Sequence, residues 1–168
     1  VNELLKKYDF SLKLDEMFGK QGFEIISGFA TSYGFYTRGR GDDVPSAFKE
    51  NCFNDSLQTQ RLIPFCVDHD MAIRIGWVES VSSINLGIIF KARVYHFPAL
   101  FELRPPKGFT FSVGAQHQPE DVERTDRGEL VLKAIISEIS LLTKHNPADI
   151  FCCEILLNTV EKQIYENN

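Results

Sequence analysis

The feature that most constrains the fold of this chain is a succession of short apolar segments with strand character, set off from one another by brief turns. IRIGWVESV, 73–81, alternates in the strand manner, and NLGIIFKARVY, 85–95, follows after a short turn. FEIISGFATSY, from Phe23 to Tyr33, is rich in strand-favouring residues and carries Gly28 as a candidate bulge. RLIPFCV, 61–67, reads as a strand in which Pro64 suggests an edge or a bend. GFTFSVGA, 108–115, is a further strand, and ELVLKAIISEISLLT, 129–143, reads as the longest.

Helical signals are fewer. Pro45 suits a first helical position, and SAFKENCFNDSL after it predicts a short amphipathic helix. Pro98 to Leu103 fits one or two turns, stopped by Pro105 and Pro106. ADIFCCEILLNTVEKQI, 148–164, reads as helix ahead of strand, whereas GRGDD, 39–43, and QHQPEDVERTDRG, 116–128, read as loops, the second mobile and beside a candidate site. The pattern predicts one domain over 1–168 with a peripheral N-terminal segment, 1–20. Its expected class is mainly β with peripheral helices (α+β), arranged as a closed or nearly closed, mostly antiparallel β-barrel.

Composition narrows the function classes. A net charge of −5 and the lack of a basic stripe argue against nucleic acid as a partner. No apolar run reaches the roughly 18–20 residues of a membrane span, and the first residues lack a signal-peptide pattern. Cys52, Cys66, Cys152 and Cys153 show no CxxC spacing, which points to a reducing, cytosolic setting and gives no zinc site. No Gly-rich phosphate loop occurs, and no cofactor is implied.

Three residues stand out chemically. His69 lies between Asp68 and Asp70 at the end of an apolar strand, Ser112 sits in Phe-Ser-Val-Gly, and Glu138 interrupts the apolar run IISEISLL. A serine hydroxyl becomes nucleophilic when an imidazole takes its proton, and the imidazole needs a third group to fix its tautomer. The types for such a triad are present on separate segments. On residue types alone the plain readings stay open: a loop histidine among solvated acids, a small strand serine, and a glutamate on an outer sheet face. Gly-x-Ser-x-Gly is absent, which disfavours an α/β-hydrolase. Asp68, His69 and Asp70 as metal ligands form a rival, weakened because consecutive residues on extended chain point to alternating faces. His117 and His145 read as surface residues, and His96 belongs to no motif.

The order of these segments resembles the prohead maturation proteases of tailed bacteriophages, a family similar in fold to herpesvirus assemblin. The likeness runs roughly from Gly28 to Ile150 and is carried by GFATSYG, VPSAFKENCF, IPFCVDHD, IGWVESV with LGIIFKARV, FTFSVGA, and AIISEISLLTKHNPADI. Ser46 stands where that family usually has Gly, and LTKHNPADI is a loosened form of its closing motif. The resemblance implies a serine endopeptidase with Ser112 as nucleophile, His69 as general base and Glu138 as the orienting acid, Asp70 or Asp68 being alternatives for the third role. Backbone N–H groups of Val113 or Gly114 are candidates for the oxyanion hole. The implied substrates are scaffold protein, the N-terminal region of the major capsid protein, and the protease itself, inside a procapsid in the host cytoplasm. Whether copies form a homo-oligomer is left open, and a non-catalytic capsid-assembly component of the same fold is the alternative.

Overall fold

The computed structural model describes residues 22–38, 43–59, 62–95, 102, 104–144 and 146–155. The strands are β1 (Phe23–Ser32), β2 (Ser46–Phe48), β3 (Ile63–Val67), β4 (Asp70–Ile84), β5 (Gly87–Tyr95), β6 (Thr110–Gln116), β7 (Val122–Thr125), β8 (Gly128–Val131) and β9 (Ile135–Leu142). One short helix, α1 (Asn54–Thr59), lies between β2 and β3. Six strands form the main sheet in the order β1-β5-β4-β3-β9-β6, and β2-β8-β7 form a small second sheet. In the main sheet only the β3–β9 pair is parallel; the other neighbours run antiparallel.

Strand alternation explains which side is buried. Phe65, Phe90 and Phe111, from three strands, meet with ring centroids 4.9–6.0 Å apart, and Ile88, Ile139 and Leu141 join them in the core. Such aromatic pairs add about 0.5–1.5 kcal/mol each beyond their buried area. Gly28 on β1 faces this cluster. A Cβ there would lie 2.4 Å from the Phe111 ring, so close approach, not a bulge, demands the glycine. The β1 bulge falls instead between Phe29 and Thr31.

The expectation of a closed barrel is corrected: the main sheet is open. Its edge strands β1 and β6 do not pair with each other, because residues 152–155 come between them. That segment hydrogen-bonds to both edges: the N–H groups of Phe29 and Phe111 donate to the carbonyls of Cys153 and Cys152, each at 3.0 Å. Glu154 and Ile155 return N–H bonds to Phe109 and Ser27. Two buried acids anchor it. Asp149 accepts from the Ser32 amide at 2.6 Å, and Glu154 accepts from the Phe109 amide at 2.9 Å and from Arg104.

Other expectations change as well. Residues 46–48 are strand, not helix, because Ser46–Phe48 pairs in parallel with Glu129–Val131; the helix starts only at Asn54. Pro64 lies in an interior strand, tolerated because the β9 ladder begins one residue later, at Phe65. The 116–128 segment is built rather than a loose connection, containing a 3₁₀ turn at Pro119–Asp121 and strand β7, which pairs with β8. The 129–143 run divides into β8 and β9, leaving β4 the longest strand. In 148–155 there is no helix; 156–164, and most of the Pro98–Leu103 and N-terminal 1–20 expectations, lie outside the described residues. Cys52, Cys66, Cys152 and Cys153 are free thiols. Among the described residues no helix is long and apolar enough to cross a membrane.

Candidate active site

The site is built on the turn between β3 and β4. Val67 pairs with Asp70, leaving Asp68 and His69 as a two-residue hairpin loop with φ of 49° and 62°. Positive φ at both central residues matches the twist of the flanking strands, yet costs a non-glycine residue backbone strain. Bonds to the end of β9 hold the turn. The Asp68 amide donates to the Leu141 carbonyl at 2.9 Å, and the His69 amide donates to Ser140 Oγ at 3.0 Å. The Asp68 carboxylate accepts from the Thr143 amide (2.8 Å), the Thr143 hydroxyl (2.6 Å) and the Lys144 amide (3.3 Å). Burial pushes the Asp68 carboxyl up, but these donors and the Lys144 charge outweigh it and hold the group below its ordinary range.

From this turn the imidazole reaches β9. His69 Nδ1 is 2.6 Å from Glu138 Oε1, and Glu138 is only 4% exposed. With an ionised carboxylate as acceptor, Nδ1 carries the proton and Nε2 is left as the basic nitrogen. The Glu138 hydrogen bond raises the His69 pKa above 6.5; partial burial opposes this, and the Glu138 and Asp68 charges add to it. The second Glu138 oxygen accepts from Ser140 Oγ at 2.6 Å.

Space for the carboxylate comes from β6. Gly114 lies opposite Glu138, and a Cβ on it would stand 2.2 Å from Oε1. One bulge makes the polar face local. β6 passes from Gly114↔Glu138 to Ala115↔Ile136, so Ser137 is the extra residue, and Ile136 turns into the core although Glu138 does not.

Ser112 is placed by the same register. It pairs with Ser140, which pairs with Cys66 across β3, which pairs with Arg74 across β4. Directly opposed residues share a sheet face, so Arg74, Cys66, Ser140 and Ser112 form one polar row, with Glu138 and Gly114 one step along. Opposed Cβ atoms stand roughly 5 Å apart and diagonal ones roughly 7–8 Å, a span an imidazole can bridge. His69 and Ser112 therefore share a face, but no hydrogen bond joins them. Cys66 is no rival nucleophile: it is fully buried, and burial pushes its thiol up to about 11, the Glu138 charge adding to this.

The remaining candidates separate. Asp70 Oδ1 accepts from the Ala72 amide, so neither Asp68 nor Asp70 bonds to the imidazole. The three side chains of Asp68-His69-Asp70 diverge to different partners, and no cluster of three or more His, Cys, Asp or Glu suited to a metal occurs among the described residues. For the oxyanion pair, the Phe111 N–H points outward to Cys152, so the two-residue period sends Val113 N–H to the same open edge and Gly114 N–H towards β9. A groove of about 570 Å³, lined by Val44, Phe48, Val113, Ala115 and Glu129, lies against the face of β6 opposite to Ser112. His117, at its rim, is exposed; His96 and His145 lie outside the described residues. Sequence reasoning missed the contacts of Ser140 and the reason for Gly114. The Glu-x-Ser spacing, which puts 138 and 140 on one strand face, was the available signal.

No family model and no curated protein matches the chain. Among solved structures it is similar to KSHV protease bound to a hexapeptide phosphonate inhibitor, with a TM-score of 0.40 and 15% identity over 73% of this chain and 60% of that one. Varicella-zoster virus protease gives 0.40 and 13%, over 71% and 57%. Kaposi's sarcoma herpesvirus protease with an allosteric inhibitor gives 0.39 and 14%, over 74% and 71%. The chain thus spans about 60% of the length of the first two. Likeness this distant carries no weight for the chemistry, which rests on the register and contacts described above.

Proposed function

We propose that this chain is a serine endopeptidase of viral procapsid maturation, of the kind found in tailed bacteriophages. The observation that carries the reading is the 2.6 Å bond between His69 and the buried Glu138, on the sheet face that also bears Ser112. A buried carboxylate against one imidazole nitrogen leaves the other nitrogen basic, as acyl transfer requires. The ordered motifs from GFATSYG to the closing Glu-Ile-Ser strand support the biological setting by resemblance.

In the proposed reaction Ser112 Oγ attacks a peptide carbonyl while His69 Nε2 takes its proton. Glu138 stabilises the imidazolium and keeps the ring oriented. Val113 N–H, on the open β6 edge, is the better placed of the two oxyanion donors. The imidazolium then protonates the departing amine, and water, deprotonated by the same nitrogen, hydrolyses the acyl-enzyme. Scaffold protein, the N-terminal region of the major capsid protein and the chain itself are the proposed substrates, within the procapsid in the host cytoplasm.

Co-expression with scaffold and capsid protein tests this. Ser112→Ala is expected to abolish cleavage of both while thermal unfolding stays cooperative. Full processing by that variant would remove Ser112 from the mechanism. Absence of processing by the unmodified chain would favour the non-catalytic capsid component.

A further inference from the structure

We infer that Ser140 is a positioning residue for the base, one hydroxyl that fixes both Glu138 and the turn carrying His69. This rests on the reading of His69 as the base for Ser112. Ser140 is fully buried, and its hydroxyl is used twice, donating to Glu138 Oε2 at 2.6 Å and accepting from the His69 amide at 3.0 Å. Glu138 therefore has each oxygen held, Oε1 by the imidazole and Oε2 by Ser140. Rotation of the carboxylate away from the ring would break both bonds. The other contact acts on the backbone: His69 sits at φ 62°, and its amide is tied to the strand that carries its acid. One atom thus constrains both ends of the His69–Glu138 bond, and does so directly across the ladder from Ser112.

A buried serine could merely satisfy its own polar group. The two roles differ in what His69 feels. Its ring is acted on by Glu138 and Asp68, with Cys66, Asp70 and Arg74 on the adjoining strands. If Ser140 works through Glu138, its removal alters the His69 titration only while Glu138 remains a carboxylate.

The test is an NMR titration of the His69 ring in full-length Ser112→Ala protein, which cannot cut itself by the proposed route. Ser140→Ala is expected to move the midpoint down towards 6.5. In a Glu138→Gln background the same change is expected to produce no further shift. In chain with Ser112 intact, Ser140→Ala is expected to lower kcat/KM about 10- to 100-fold, the loss of a bond to a charged group. Equal shifts in both backgrounds, no shift in either, or undiminished cleavage would overturn the inference. Should Ser140→Ala fail to fold, Ser140→Cys replaces the hydroxyl by a much poorer donor and is expected to move the midpoint part of the way down, and an equal shift of Ser140→Cys with and without Glu138→Gln would overturn it too. The titration needs no substrate, so its outcome is separate from that of the Ser112 reading, which fails if the unmodified chain cleaves nothing.

Discussion

His69 and Glu138 are 69 residues apart in sequence and 2.6 Å apart in space, joined because the β3–β4 turn folds over the strand that runs parallel to β3. That contact organises the expected behaviour of the site.

Exchanging Glu138 for Gln keeps the shape and, in the proposed mechanism, removes the charge that stabilises the imidazolium. Glu138→Gln is expected to lower kcat by about 10²-fold, and His69→Ala by up to about 10⁴-fold, the span of general acid–base effects. Steady-state kinetics on one peptide substrate compare them. Equal activity of Glu138→Gln and the unmodified chain would take the orienting role from Glu138.

The proposed mechanism requires neutral His69, whose pKa is raised chiefly by the Glu138 hydrogen bond. The acidic limb of kcat/KM is therefore expected above 6.5, and Glu138→Gln is expected to bring it down. The stability effect has the opposite sense in pH. A raised folded-state pKa adds stability that is complete below the unfolded value of 6.5 and fades as pH rises through the folded value. Urea melts across that window should show the fading in the unmodified chain and little of it in Glu138→Gln.

Gly114→Ala places a methyl 2.2 Å from Glu138 Oε1. The expected cost is about 1–3 kcal/mol in denaturant unfolding, as for other overpacked sites, with a loss of activity from displacement of the carboxylate. Unchanged stability and turnover together would show that the pocket for Glu138 is formed otherwise.

The two acids flanking His69 should behave differently on substitution. Asp68→Ala removes the acceptor for Thr143 and Lys144 and is expected to cost about 1.5–3 kcal/mol, with slower turnover because the turn loosens. Asp70 is exposed, so Asp70→Asn is expected to stay within about 0.5 kcal/mol of the unmodified chain. Equal effects at the two positions would refute the assignment of Asp68 as the clamp.

These contacts also show where sequence was informative. The β4–β5 hairpin was legible because IRIGWVESV alternates and a short turn follows it, and Ser112 and Glu138 stood out as polar residues within apolar strands, with His69 between two acids at the end of another. Ser46–Phe48 was misread because its strand character comes from a parallel partner over eighty residues on, which local propensity does not register. The open sheet was misread for a related reason. Residues 148–155 look helical by composition, but they are held extended by both sheet edges and by Asp149 and Glu154. Ser140 gave only the weak signal of a polar residue two places from an acid, since its value lies in a turn from another segment.

Whether Ser112 is a nucleophile activated by His69 can be read by labelling the intact chain with a fluorophosphonate and locating the adduct by mass spectrometry. One adduct is expected, on Ser112, formed in the presence of chelator and lost in His69→Ala. An unlabelled but folded chain, or an adduct on Ser112 that forms equally well without His69, would contradict it.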